Sequence, residues 1–157
     1  MADFNKRFTS KKQEWTTPSC IFDKLNEEFN FTLDLAADKF NTKCVKFYDE
    51  DSNSLIQKWT GVCWLNPPYG NSKYKLLDFI KKSHLSSQED KCVVVALISA
   101  RTNTKWWHEY CMKAAEIRFI CGRPKFGNAD YGLPLPLAIV IFKKHDIDTI
   151  FSSFYVK

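Results

Sequence analysis

Asn66, Pro67, Pro68 and Tyr69 are the four residues of the chain whose types and order point most directly to chemistry, in the segment WLNPPYG. Two prolines fix φ and remove backbone donors, so the carbonyls around Asn66 and Pro67 are held as acceptors only. Asn66 adds a side-chain carbonyl and Tyr69 a flat π face. Acceptors converging beside a ring suit a planar amine, whose N–H groups donate while its own ring stacks on the tyrosine. The exocyclic amine of a nucleobase has that shape. Its lone pair is delocalised into the ring, and hydrogen bonds to both of its protons favour the localised, attacking form. Such an amine is methylated by positioning, with no metal and no covalent nucleophile. A lone Pro-Pro pair is also what a stiff surface turn contains, so the surrounding elements carry weight.

The corner is fed by the apolar run GVCWL, which reads as a strand. CVVVALISA, the longest apolar run, lacks alternation and reads as a central strand buried on both faces. EIRFICG and LAIVIFKK are further strands, FTLDLAAD is a strand ending near Asp34 and running into a loop, and CVKFY is a short strand before the acidic loop DEDSNS. Helical spacing places Ile21, Phe22, Leu25 and Phe29 on one face of CIFDKLNEEF, and Leu76, Leu77, Phe79 and Ile80 on one face of KYKLLDFIKKSHL. RTNTKWWHEYCMKA is a loop running into a helix; its adjacent Trp106 and Trp107 cannot share a face, so one is expected in the core and the other beside the site. The alternation of strands and helices predicts a layered α/β fold with a mostly parallel central sheet. Ligands of such sheets collect outside the carboxyl ends of the strands, where residues 66–69 fall.

The 157 residues suffice for one hydrophobic core, and the chain reads as a single domain over 1–157, its first 14 residues a polar, basic, flexible arm. Hydrophobic residues at 45% and charged residues at 26% exclude a disordered chain. A formal charge of +5 suits an anionic partner such as nucleic acid. Six scattered cysteines, without a C-x-x-C pair or histidines at zinc spacing, read as reduced thiols, and no metal is expected. His84 and His108 read as ordinary helix residues. No apolar leader or membrane-length run is present, so the expected place is the cytoplasm, with no membrane partner.

WTTP at 15–18, FTLDLAAD at 31–38, WLNPPYG at 64–70, RTNTKWW at 101–107 and GRPKFG at 122–127, in this order, resemble the phage-type DNA N6-adenine methyltransferases. The likeness extends from Trp15 to Phe142. It implies the class I S-adenosylmethionine-dependent (Rossmann-like) fold, in three layers and somewhat reduced, because the stretch between Asp34 and Asn66 is short for two strand and helix units. It assigns the target amine to Asn66, Pro67, Pro68 and Tyr69, in agreement with the reading of their atoms. It further implies that Trp15, Thr16, Thr17 and Pro18 line the methionine end of S-adenosylmethionine, that Asp34 faces the same moiety, and that Ala36 and Ala37 stand where many relatives have glycine. It implies that Asn66 borders the cofactor as well. It also implies that an acidic residue after the second strand takes the ribose hydroxyls; Asp49, Glu50 and Asp51 are all eligible, with Asp49, which directly follows the strand, and then Asp51 expected first.

The resemblance implies a site-specific transfer of a methyl group to the N6 amine of a flipped-out adenine in double-stranded DNA, within a bacterial host if the chain is phage-encoded, with protection from restriction as its use. Arg101, Thr102, Lys105, Arg123 and Lys125, on loops leaving later strands, are the expected DNA contacts. No separate recognition region fits, so short loops imply a short site, low specificity or a homodimer. Two other readings are a methyltransferase acting on RNA or on protein glutamine, and a catalytically silent DNA-binding protein, the latter prompted by the glycine-free turn.

Overall fold

The computed structural model describes residues 16–69, 73–89 and 91–156. Helix α1 spans Ser19–Phe29, β1 Leu33–Asp34, β2 Gly61–Leu65, α2 Leu76–Ser87, β3 Cys92–Ser99, α3 Lys105–Glu109, β4 Glu116–Cys121, β5 Leu137–Phe142 and β6 Ile150–Tyr155. Two short 3-10 turns cover Ser54–Ile56 and Cys111–Lys113.

All six strands among the described residues lie in one sheet, in the order β1-β2-β3-β5-β4-β6. The β1–β2, β2–β3 and β4–β6 pairs are parallel, whereas β5 is antiparallel to both β3 and β4. Five strands therefore end at the same edge of the sheet, and only β5 runs the other way. The mostly parallel sheet expected from the sequence is present, with one reversed strand inside it.

The buried side chains alternate as strand geometry requires. Val94, Ala96 and Ile98 of β3, with Ala138, Val140 and Phe142 of β5, join a cluster on one face that includes Phe79, Ile80 and Trp107. Val95 and Leu97 of β3, with Ile139 and Ile141 of β5, join the cluster on the other face with Ile21, Phe22 and Leu25 of α1. Each of those three α1 side chains contributes about 1.5–3 kcal/mol by leaving water. Pro18 sets the start of α1, its carbonyl accepting from Ile21 and Phe22 N–H at 3.0 and 3.1 Å. Asn30 ends it in the left-handed region, at φ 53°, which asparagine tolerates. Arg118 of β4 then ties α1 down by donating to both Glu28 oxygens at 2.7 Å.

Three elements differ from expectation. CVKFY forms only one bridge, Phe47 to Asp34, although Asp34 N–H donates to Lys46 O and Tyr48 N–H to Asp34 O around it. The helix after Arg101 is five residues long and passes at once into a 3-10 turn. Strand β6 lies in a segment for which the sequence reading named no element; its side chains are mostly exposed, so it lacks the burial pattern that betrays a strand.

Candidate active site

A cavity of about 510 Å³ opens beyond the ends of β1 and β2, within the size range of small-molecule sites. Of the residues expected at the cofactor or the amine, Thr17, Asp34, Ala36, Asp49, Asn66, Pro67 and Pro68 line it. Glu50 lines it also, whereas Asp51 does not.

Asp34 is the last residue of β1, held between β2 and the Phe47 bridge. Its side chain is 3% exposed, with Oδ2 accepting from Lys43 N–H at 3.0 Å and Oδ1 from Ala36 N–H at 3.4 Å. Burial nevertheless pushes the carboxyl above its ordinary value, the two N–H groups and the Lys43 charge offsetting part of the shift. Ala36 and Ala37 are half-buried on the cavity wall, so their β-carbons leave it open.

The Asn66 amide donates through Nδ2 to the Thr17 hydroxyl at 3.2 Å, joining the proline corner to the segment before α1. Thr17 is buried and Pro67 is buried beside it. Tyr69 does not line the cavity: its hydroxyl donates to the Leu97 carbonyl of β3 at 3.2 Å, and burial pushes the phenol pKa upward. The ring is thus anchored to the central strand.

Asp49 is exposed on the rim, its carboxylate accepting from Ser52 N–H at 2.8 Å and held below the ordinary range by that bond and by the Ser52 hydroxyl. Ser54, not foreseen from the sequence, is 4% exposed on the wall, and its Oγ has no hydrogen-bond partner among the described residues. Its carbonyl accepts the Trp59 indole N–H at 2.8 Å, which fixes the turn. Tyr48, Tyr74 and Phe79 supply aromatic wall, and Phe40 reaches the rim with 81% exposure. The turn under Phe40 is built by Asp38, whose Oδ1 accepts from Phe40 N–H at 2.7 Å and Asn41 N–H at 3.1 Å. An Asp-led turn is a legible signal; the burial of Ser54 depends on the tertiary fold and is not.

Thr16 and Pro18 act elsewhere, Thr16 O accepting from Gly127 N–H at 3.1 Å and Pro18 starting α1. Trp15 and the basic arm at 1–14 lie outside the described residues. Arg101, Thr102 and Lys105 follow β3, and Arg123 and Lys125 follow β4, on the edge where the cavity opens; all five are exposed and none lines it. Lys105 also meets Glu109 at 3.3 Å, an exposed pair worth little. Trp107 is in the core, and Trp106 packs against the same cluster rather than bordering the cavity. The His108 ring meets Thr102 O at 2.8 Å, and His84 packs beside Tyr110. The described cysteines are free thiols, and no metal-binding group of side chains occurs among the described residues. No described helix is long and apolar enough to cross a membrane.

The cavity therefore combines a buried carboxylate, rim acids, an unmatched hydroxyl and aromatic walls with an acceptor-rich corner. This α/β arrangement is consistent with a methyltransferase-like fold. Residues 5–136 match the family model described as DNA N-6-adenine-methyltransferase (Dam), and the chain belongs to that family. It is 36% identical over 127 residues to a DNA N-6-adenine-methyltransferase of Haemophilus phage HP1 (strain HP1c1), covering 78% of this chain and 71% of the relative. It is 34% identical over 110 residues to one of Escherichia phage T1, covering 68% of this chain but 44% of that relative.

Proposed function

We propose that the protein transfers a methyl group from S-adenosylmethionine to the N6 amine of adenine in double-stranded DNA. The observation that carries this reading is that the Asn66 corner and the buried Asp34 carboxylate line one cavity. The donor set fits the cofactor: Asp34 for its cationic amino-acid end, Asp49 or Glu50 for the ribose hydroxyls, the partnerless Ser54 hydroxyl for a polar atom, and Tyr48 and Phe79 for the flat ring. When bound, S-adenosylmethionine supplies an electrophilic methyl group on a sulfonium.

The chain's own residues do the rest. Thr17 orients the Asn66 amide, whose oxygen and the neighbouring carbonyls accept the two amine protons and concentrate its lone pair. Tyr69, anchored to β3, offers its ring to the target base. The cost of flipping an adenine, a few kcal/mol, is offset by that stacking and by phosphate contacts from Arg101, Thr102, Lys105, Arg123 and Lys125. We read the chain as one catalytic domain of the class I, three-layer type, working in the cytoplasm of a bacterial host. We read the Phe47 bridge as all that remains of its second strand. Incubation of the protein with labelled S-adenosylmethionine and duplex DNA, followed by nucleoside digestion, should yield N6-methyladenine. Absence of the product from DNA containing every short sequence context overturns the assignment, and calorimetric titration with the cofactor separates a silent binding module from an enzyme.

A further inference from the structure

Among the described residues, strand β6 forms one margin of the sheet and pairs only with β4. Ile150 N–H donates to Ala115 O at 3.0 Å and Val156 N–H to Cys121 O at 3.4 Å. Backbone groups alternate sides along a strand, so the N–H and C=O groups of Phe151, Ser153 and Tyr155 point away from β4. Proteins usually blunt such an edge with prolines or charges. The segment IFSSFY has neither, and Lys24, donating to Tyr155 O at 3.0 Å, guards one end alone.

The same three residues put their side chains on the face away from α1. Phe151 is 50% exposed and Tyr155 64%, beside Phe119 of β4 at 40%. The Phe119 and Phe151 rings stack at 6.4 Å with a 7° interplanar angle, forming an apolar band that runs to the open edge.

We propose that β6 joins a second copy of this chain, edge to edge and antiparallel, about a two-fold axis through Ser153. A two-fold perpendicular to the sheet preserves its faces, so each residue meets one of the same parity. Centring on Ser153 uses all the outward backbone groups of β6: Ser153 pairs with Ser153 of the second copy, and Phe151 with Tyr155 of the second copy at both ends. Any other centre uses fewer. The aromatic band of one copy then continues into that of the other, with Tyr155 packing against Phe151. Charge agrees with this pairing. The exposed Asp146 and Asp148 precede β6 and Lys24 sits at its far end, so antiparallel pairing brings the acidic end of each copy alongside the basic end of the other. The Tyr155 carbonyl has a second lone pair and accepts from both Lys24 and the new strand. The two cavities open on opposite edges of the joined sheet, and each copy meets DNA on its own. The interface does not depend on the methyl-transfer reading.

Sedimentation equilibrium of the full chain should give twice the 18.3 kDa of one chain. Ser153→Pro removes the N–H at the axis without touching a β4–β6 hydrogen bond, and should give a folded monomer with the wild-type circular dichroism spectrum and a Tm that no longer rises with protein concentration. Ser153→Cys places two thiols across the axis, where opposed Cα atoms lie about 5.5 Å apart, within disulfide reach. Mild oxidation should cross-link it beyond the wild-type control, which carries exposed Cys20 and Cys121. Ser152→Cys, on the other face and out of register with itself, should not cross-link. A monomeric wild type, as expected if another segment of the chain covers this face, overturns the proposal. So does a dimer that survives Ser153→Pro or fails to cross-link through position 153.

Discussion

Thr17 accepts the side-chain amide of Asn66 at 3.2 Å across 49 positions of sequence, and both residues line the same cavity. On the proposed reading of the corner, this contact makes Thr17 a positioning residue, because it fixes which way the Asn66 oxygen points. Thr17→Val should lower kcat by about 2- to 10-fold, the value of one hydrogen bond, with KM for DNA little changed. Thr17→Ser should restore most of it. Wild-type kcat in the valine variant sinks this role.

Asn66→Ala removes the acceptor itself, and the comparison with loss of one preorganised hydrogen-bonding group elsewhere suggests a fall in kcat of about 10²- to 10³-fold. Cofactor affinity should stay within a few-fold, because Asp34 and the rim acids remain. Single-turnover kinetics with equilibrium cofactor titration measures both, and retained turnover contradicts the assignment of the corner.

Much of this site was legible because its chemistry is local. The Asn-Pro-Pro-Tyr corner needs only adjacent residues and a preceding strand, and GVCWL is that strand, residue for residue. The β3 and β5 runs announced themselves by burial on both faces. What was not legible depends on distant segments meeting. Asp49 is expected first at the ribose by its place after the strand and Asp51 next, but the turn through Ser52 brings Glu50 to the cavity with Asp49 and leaves Asp51 outside it. Ser54 reads as a loop serine until Trp59 and the strands enclose it. Strand β6, lacking a buried face, carries no periodic signal, and the direction of β5 follows from its neighbours.

Burial raises the Asp34 pKa above its ordinary 3.8, so the folded protein takes up this proton at a higher pH than the unfolded chain. For this group the free protein gains stability as pH falls through the raised pKa and is penalised above it. A cationic ligand needs the ionised form. Affinity for S-adenosylmethionine should therefore weaken on mild acidification, beginning above the usual carboxylate range, while Asp49, held low, stays ionised. Asp34→Asn should abolish most of this pH dependence and weaken binding, and should lower the Tm of the free protein somewhat, because its amide nitrogen cannot accept one of the two backbone N–H groups that Asp34 holds. Calorimetry across pH, paired with thermal melts, tests it; a pH-independent wild-type affinity argues against Asp34 as the cation's partner.

The Ser54 hydroxyl, buried on the cavity wall without a partner among the described residues, predicts opposite effects on stability and binding. An unsatisfied buried hydroxyl costs about 1–3 kcal/mol. Ser54→Ala should therefore raise the Tm of the free protein by about 2–4 °C per kcal/mol recovered. The same change should weaken S-adenosylmethionine by about 2- to 10-fold, since the ligand loses one hydrogen bond. A variant that is stabilised yet binds the cofactor normally removes Ser54 from the site.

Arg101, Arg123 and Lys125 stand exposed on loops at the cavity edge, free of any role in packing the core. If each neutralises one phosphate, it releases a counterion, and log affinity for duplex DNA varies with log salt by about 0.9 per contact. Each single change to Gln should weaken DNA binding across all sequences and reduce the salt slope by about that amount. Cofactor affinity should not move, because none of the three lines the cavity. Lys105, already near Glu109 at 3.3 Å, should show a smaller slope change than Arg101. Binding isotherms over a salt series distinguish these cases, and an unchanged slope in the Arg101, Arg123 and Lys125 variants would move the DNA to another surface of the protein.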